Sequence, residues 1–201
     1  MAIKDDSLIV GTRGAVFIAD AEKKLPDLSK FSLTAETVEG TDGVTYTNIG
    51  HTSVDTLPEF SIDGGDSTSH DTWLKTKVRA TYEAVTGTVT IDSVQGDKEN
   101  LKLIFNAKDM SDGGLAIALD KREQKKAMFI FIVDSDTNQK LGFWIPNASL
   151  SYNELPTLNQ DDFVEYKMVG DILSSSTLPA ADNGDATSIA IYGPEAFVAT
   201  A

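Results

Sequence analysis

The chain has 201 residues, no cysteine, 41% hydrophobic residues, and 17 basic against 31 acidic side chains, for a formal net charge of -14. That length supports one sizeable core, or a core with extended arms, and the lack of thiols excludes disulfides and thiolate chemistry. Surfaces carrying the average charge repel free nucleic acid and anionic membranes, and no stretch approaches the roughly 20 apolar residues needed to cross a bilayer.

The first residues, Met1–Asp6, lack the apolar run of a signal peptide, so folding in a cytoplasm is expected. Leu8–Ala19 reads as an extended lead-in followed by a strand, with Gly11 and Gly14 framing a bend where positive φ would be needed. Residues 20–45 look like a long excursion from the core, either mobile or ordered by an assembly. Within it, Gly40-Thr41-Asp42-Gly43 is a hairpin-tip signal leading into Val44–Ile49.

His51–Pro58 is irregular, and Phe60 and Ile62 alternate briefly before Gly64-Gly65-Asp66. Trp73 is expected to begin a strand in which Val78, Ala80, Tyr82 and Ala84 face one way and Lys77, Arg79, Thr81 and Glu83 the other. Val85, Gly87, Val89 and Ile91 then alternate with Thr86, Thr88, Thr90 and Asp92. One dry face and one hydroxyl-rich or charged face point to an antiparallel sheet rather than a parallel sheet covered on both sides.

A helix is predicted near 97–107. Asp97 can cap its free amides, Glu99 favours its positive end, and Leu101, Ile104, Phe105 and Lys108 repeat at spacings of three and four. Gly113-Gly114 breaks the pattern, and 115–124 suits either a short helix or a strand. Arg122–Lys126 is the densest basic run and reads as a solvated approach to the next strand.

Met128–Val133 is apolar on both strand faces, which fits burial within one molecule or a second face set against another subunit. The turn Asp134–Asn138, the strand Leu141–Ile145, Pro146, and the alternating Ala148, Leu150 and Tyr152 follow. Connections this short exclude crossover helices, so these strands pair antiparallel. Val164, Tyr166 and Met168 oppose Glu165 and Lys167, Ser174–Asp185 reads as a linker, and Ser188–Tyr192 as an edge strand.

No constellation carries chemistry. His51 and Asp55 do not share a helix face, and Asp66, His70 and Asp71 fall short of the convergent ligands a transition metal wants. Ser53 lies outside any nucleophile elbow, and Asp161-Asp162 is not a positioned acid pair. The glycine pairs lack the Lys and Ser/Thr of a phosphate loop. No enzyme activity and no cofactor are expected.

Several segments resemble the major tail tube proteins of long-tailed, non-contractile bacteriophages. They are Gly11–Phe17, Ile49–Ser53 with Pro58-Glu59-Phe60 and Gly64-Gly65-Asp66, Thr72-Trp73-Leu74 with Val78-Arg79, Gln95-Gly96-Asp97, and Phe143–Ala148. The resemblance spans essentially the whole chain, taken as a single domain over 1–201. It implies a mainly β fold, an antiparallel sandwich or barrel-like sheet with one flanking helix and extended loops and arms. It further implies hexameric rings stacked into a hollow tube that conducts viral DNA without binding it specifically. A tape measure protein would lie inside, with a tail terminator and a distal tail protein at the ends, and no membrane would be involved. The location would be the virion tail, assembled in the host cytoplasm.

On this resemblance the N-terminal segment 1–13, the loop 36–49 and the arm 174–201 become inter-subunit elements. Gly40, Asp42, Val44, Tyr46, Phe129, Phe131 and Phe143 are the candidate contact residues. Thr86, Thr88, Thr90 and Asp92, or alternatively Glu165 and Lys167, are the candidate lumen lining, where acidic side chains would repel phosphate. The same alternation suits the outer surface of a monomeric sandwich equally well. Other ring-forming tail proteins, a terminator or a baseplate hub, are the nearest alternative. A ligand-binding β-sandwich module would need an exposed aromatic platform, whereas Trp73 and Trp144 both sit in apolar strand signals that place them in a core.

Overall fold

The computed structural model describes residues 8–120, 122–156, 158 and 160–198. Its strands are β1 (Arg13–Asp20), β2 (Thr37–Glu39), β3 (Thr45–Asn48), β4 (Glu59–Asp63), β5 (Ser67–Thr72), β6 (Lys75–Tyr82) and β7 (Thr86–Ser93). The helix α1 (Lys98–Phe105) precedes β8 (Lys108–Asp109), β9 (Leu115–Ala116), β10 (Gln124–Val133), β11 (Lys140–Tyr152), β12 (Tyr166–Ile172) and β13 (Ala190–Tyr192). Among the described residues nine of these strands form one antiparallel sheet in the order β2-β3-β1-β10-β11-β12-β7-β4, with β13 added beside β11. β5 and β6 form a separate hairpin, and β8 pairs only with β9, so 115–116 takes the strand alternative.

Among the described residues the sheet does not close into a barrel: β2 and β4 stand at opposite ends of the strand order. It is nevertheless strongly bent. Phe60 on β4 and Phe143 on β11 have ring centroids 5.1 Å apart. Three strand spacings on a flat sheet would hold them roughly 14 Å apart.

The doubly apolar β10 is explained by two cores, one on each face. Met128 and Ile130 join Val16, Ile18, Ile145, Leu150, Val89, Ile91 and Met168 on the concave face, where α1 inserts Ile104 and Phe105. Phe129 and Phe131 point the other way, with Phe17 and Trp144, and are covered by Phe31, Val38, Val44 and Tyr46. Segment 20–45 is therefore not an excursion but a cover over the sheet. Its hairpin does form at the predicted tip, with Val38 paired to Tyr46 and Gly43 at φ 71°. Trp144 donates its indole N–H to the Tyr46 hydroxyl at 3.0 Å, so a polar pair is satisfied inside this second core.

The tail completes the same cover with Leu178, Ala190, Tyr192 and Phe197. The predicted linker is stapled down: the Ser175 and Thr177 hydroxyls each donate to the Glu22 carboxylate at 2.8 Å. Close packing also accounts for Gly142, where a Cβ would press on the rings of Phe129 and Phe197. Gly11 and Gly14 likewise serve close approach, to Ile132 and to the Phe131 carbonyl, and neither has the positive φ expected of a bend.

β11 runs unbroken through Pro146, which the sequence pattern treats as a separator. A bulge opposite Ala127 shifts the register between Lys126 and Met128, and a proline without an N–H is tolerated at such a point.

The predicted helix is present. Asp97 accepts hydrogen bonds from the backbone N–H groups of Glu99 and Asn100, and Asn106 ends the helix in the left-handed region at φ 48°. Asn100 donates from its side chain to the Ile49 carbonyl at 2.8 Å, tying the first turn to the segment after β3. Lys98 and Lys102 both contact Asp109, holding its carboxyl down to about 2. Asp97→Ala removes the cap and one partner of Asn100, and should lower the unfolding free energy by about 1 kcal/mol. A urea midpoint equal to that of the wild type would count against this role.

Candidate assembly surfaces

The half of the sheet left bare by the second core is a polar wall. Residues in register point to the same face, so Glu59, Thr90, Val169 and Ser151 form one row across β4, β7, β12 and β11. Ser61, Thr88, Asp171 and Ser149 form the next, and Asp63 and Thr86 begin a third. The wall is built of hydroxyls and carboxylates with Val169 as an apolar exception. Behind it, Phe60, Val89, Gly170 and Leu150 make the matching row on the concave core side.

The lumen candidates divide on this wall. Thr86 is exposed, and Thr88 and Thr90 are half-buried along one side of β7. Asp92 continues their alternation but is buried, with only 4% of its surface exposed. Glu165 lies just before β12, half-buried, and accepts hydrogen bonds from the hydroxyls of Ser53 and Thr56. Lys167 pairs with Glu154 at 2.8 Å.

Asp92, Glu154, Glu165 and Lys167 line one hollow at the end of the wall. Among the described residues one Asp92 oxygen has no hydrogen-bond partner. Burial, first of all, pushes the Asp92 carboxyl above its ordinary value near 3.8; a hydrogen bond from Thr56 and the charge of Lys167 oppose this, while Glu165 and Glu154 add to it. The folded chain thus holds this proton more tightly than the unfolded chain does. The resulting stability is present in acid and lost as pH rises through the raised folded value. Asp92→Asn keeps the shape without the charge. It should gain about 1 kcal/mol over the wild type near pH 7, with the difference closing toward pH 4. Parallel pH–stability curves for the two proteins would refute the assignment.

The second free surface is the β5–β6 hairpin. Every residue in both strands is exposed, and the turn between them is Trp73-Leu74, with the indole fully in solvent. This overturns the expectation of a dry face at Val78, Ala80 and Tyr82 and of a core position for Trp73; Trp144 does lie in the core. Alternation signals that a face exists but carries no information about what covers it. At the hairpin base Gly64 has φ 88° and no room for a Cβ against the Ala84 carbonyl, so the glycine pair launches the hairpin away from β4.

The candidate contact residues are placed as follows. Val44, Tyr46, Phe129 and Phe131 are buried within the chain's own second core, and Phe143 is half-buried against Phe60. Gly40 and Asp42 lie at the tip of the β2–β3 hairpin, half-buried and exposed respectively. Of the segment 1–13, residues 1–7 lie outside the described residues, as do 199–201 of the arm.

The chemistry-bearing types do not converge. His70 contacts the Thr81 hydroxyl, and Asp71 accepts from the Lys77 N–H, both in the exposed hairpin. Among the described residues no group of three or more His, Cys, Asp or Glu side chains is arranged to hold a metal ion, and no helix is long and apolar enough to cross a membrane.

A family model described as phage tail tube protein matches residues 1–182. The chain belongs to the phage tail tube protein family. It is similar to the major tail protein Gp23 of Mycobacterium phage L5, 31% identical over 171 residues covering 81% of this chain and 82% of that protein. The major tail protein Gp23 of Mycobacterium phage D29 is 29% identical over 169 residues with the same coverage. As a tail tube protein the chain has a structural, non-enzymatic role in the virion tail. Both the wall and the hairpin showed alternation; what could have marked the hairpin as exposed is Gly64-Gly65 and the polar Ser67–Asp71, which is too hydrophilic for a buried strand.

Proposed function

We propose that this tail tube protein forms hexameric rings that stack into the hollow tail, with the β4-β7-β12-β11 wall lining the lumen. The observation that carries this reading is the pairing of an unclosed sheet with a polar face. Among the described residues β2 and β4 end the sheet with no further strand beside them, and such edges invite strand partners from copies of the same chain. Set side by side around a ring, the walls would line one channel whose surface carries Glu59, Ser61, Asp63, Thr86, Thr88, Thr90 and Asp171. Hydroxyls keep that surface wet and carboxylates keep phosphate from adhering, as a conduit for sliding DNA requires. Glu165 and Lys167 would flank its rim.

The projecting β5–β6 hairpin takes the role of ring-to-ring contact, since its bare Trp73-Leu74 tip has no cover in the protomer. The tip of the β2–β3 hairpin, Gly40 and Asp42, the N-terminal segment and the outer side of the tail would add contacts around it. Val44, Tyr46, Phe129 and Phe131 would support those contacts from within. Partners in this reading are a tape measure protein inside the tube, a terminator and a distal tail protein at its ends, with assembly in the host cytoplasm.

Negative-stain microscopy of the concentrated protein tests the proposal. Long hollow tubes with six-fold end views are expected. Isolated rings would favour a terminator or hub, and a persistent monomer would defeat the reading.

A further inference from the structure

We infer that the Trp73-Leu74 hairpin tip of one copy docks into a groove on the next copy along the tube, formed by the 51–55 loop and the 162–165 segment. This rests on the stacked-ring reading above. The groove has a volume of about 680 Å³ and presents Val54, Val94 and Phe163 beside Asp55, Asp162 and Glu165. Val54 and Phe163 are 80% and 81% exposed, so their apolar surface is uncovered in the protomer. An exposed apolar surface next to acidic groups calls for a partner that is apolar at its tip and basic behind it.

The hairpin has that chemistry. Behind Trp73-Leu74 come Lys75, Lys77 and Arg79, against Asp71 on the opposing strand. Among the described residues no carboxylate forms a salt bridge with any of these three cations. In a chain of net charge -14, copies repel each other on average. A contact between copies is therefore favoured where an uncompensated basic element meets an acidic one. A strand of six residues reaches roughly 20 Å, enough to leave its own protomer. The finger and groove are different surfaces, so the contact is head-to-tail, and each copy can give one finger and receive another. Such a contact propagates along an axis when the rotation between copies does not close a ring, as stacking of rings requires.

The cysteine-free chain makes the test direct. Leu74→Cys combined with Val54→Cys or with Phe163→Cys introduces the only thiols, at exposed positions. On oxidation, assembled tubes of these variants should give a ladder of cross-linked chains extending beyond the dimer. Leu74→Cys with Ile191→Cys, also exposed but on β13, should not. In parallel, Lys77→Glu with Arg79→Glu should leave rings but raise the concentration needed for tubes by about tenfold or more, and adding Asp55→Lys should recover part of it. Tubes or rings without the groove-specific ladder, or equal cross-linking at Ile191, would overturn the groove while leaving the tube reading intact. Absence of both rings and tubes from the wild type would overturn both.

Discussion

Phe31→Ala is expected to lower the unfolding free energy by about 3–5 kcal/mol, a large share of the roughly 5–15 kcal/mol typical of a folded domain. Phe31 is 1% exposed and belongs to no strand of the sheet. Its ring meets Phe129 at 4.5 Å, Phe17 at 5.0 Å and Tyr46 at 6.2 Å, so one side chain pins the whole 25–46 cover to the convex face. Removing it leaves a cavity among rigid aromatic rings that cannot collapse inward without moving β1 and β10. Amides of β2 and β3 should lose hydrogen-exchange protection before those of β11 and β12, because the cover is lost before the sheet. Phe31→Leu should retain more than half the stability that alanine loses. A variant with alanine that melts with the wild type, or that loses β12 protection first, would show that the cover is held by something else.

Thr88→Lys combined with Asp171→Lys is expected to leave tubes intact but to slow DNA ejection on the order of tenfold or more at low salt. The two positions are direct partners across β7 and β12 in the middle of the wall. Both lie opposite the core face, so long side chains there can extend outward without disturbing the packing of Val89 and Gly170. In a ring of proposed six-fold symmetry the substitution repeats at every subunit and every ring, turning a repelling surface into a series of phosphate-binding steps. Because counterion release governs such contacts, ejection should recover steeply as salt is raised, which a mere mechanical obstruction would not do. Virions that assemble normally and eject at the wild-type rate in low salt would remove the wall from the lumen. The result would leave the family membership untouched, since that rests on the sequence comparisons.

The tip of the β5–β6 hairpin and the cover over β10 carry the same physical lesson. Met128–Val133 announces two apolar faces, and the choice between a neighbouring subunit and the chain itself depends on where Phe31, Tyr46 and Phe197 land. Those residues all lie more than 60 positions from β10 in the sequence, and no local periodicity links them. The alternation of Lys77–Ala84 is as regular as that of Thr86–Asp92, yet β6 is exposed on both sides while β7 is half in the core. What differs is the sheet each strand joins. Asp92 shows the reverse case: it shares a strand side with Thr86, Thr88 and Thr90, but Lys167 stands opposite it, residues 52 and 53 pair with that strand end, and it is buried.

By itself the sequence determined what local chemistry can specify. Asp97 and the spacing of Leu101, Ile104 and Phe105 set the helix, Gly40–Gly43 set a hairpin tip, and short connections made the strands around β10 and β11 antiparallel. It also carried the tail tube resemblance, the acidic balance and the absence of thiols. The tertiary structure alone decided that the sheet stays unclosed, that 25–46 and the tail close the second core, and that Trp73-Leu74 stands in solvent. Hydrophobic patterning reports that a surface must be buried but not by what, because burial is settled by contacts between residues far apart in the chain.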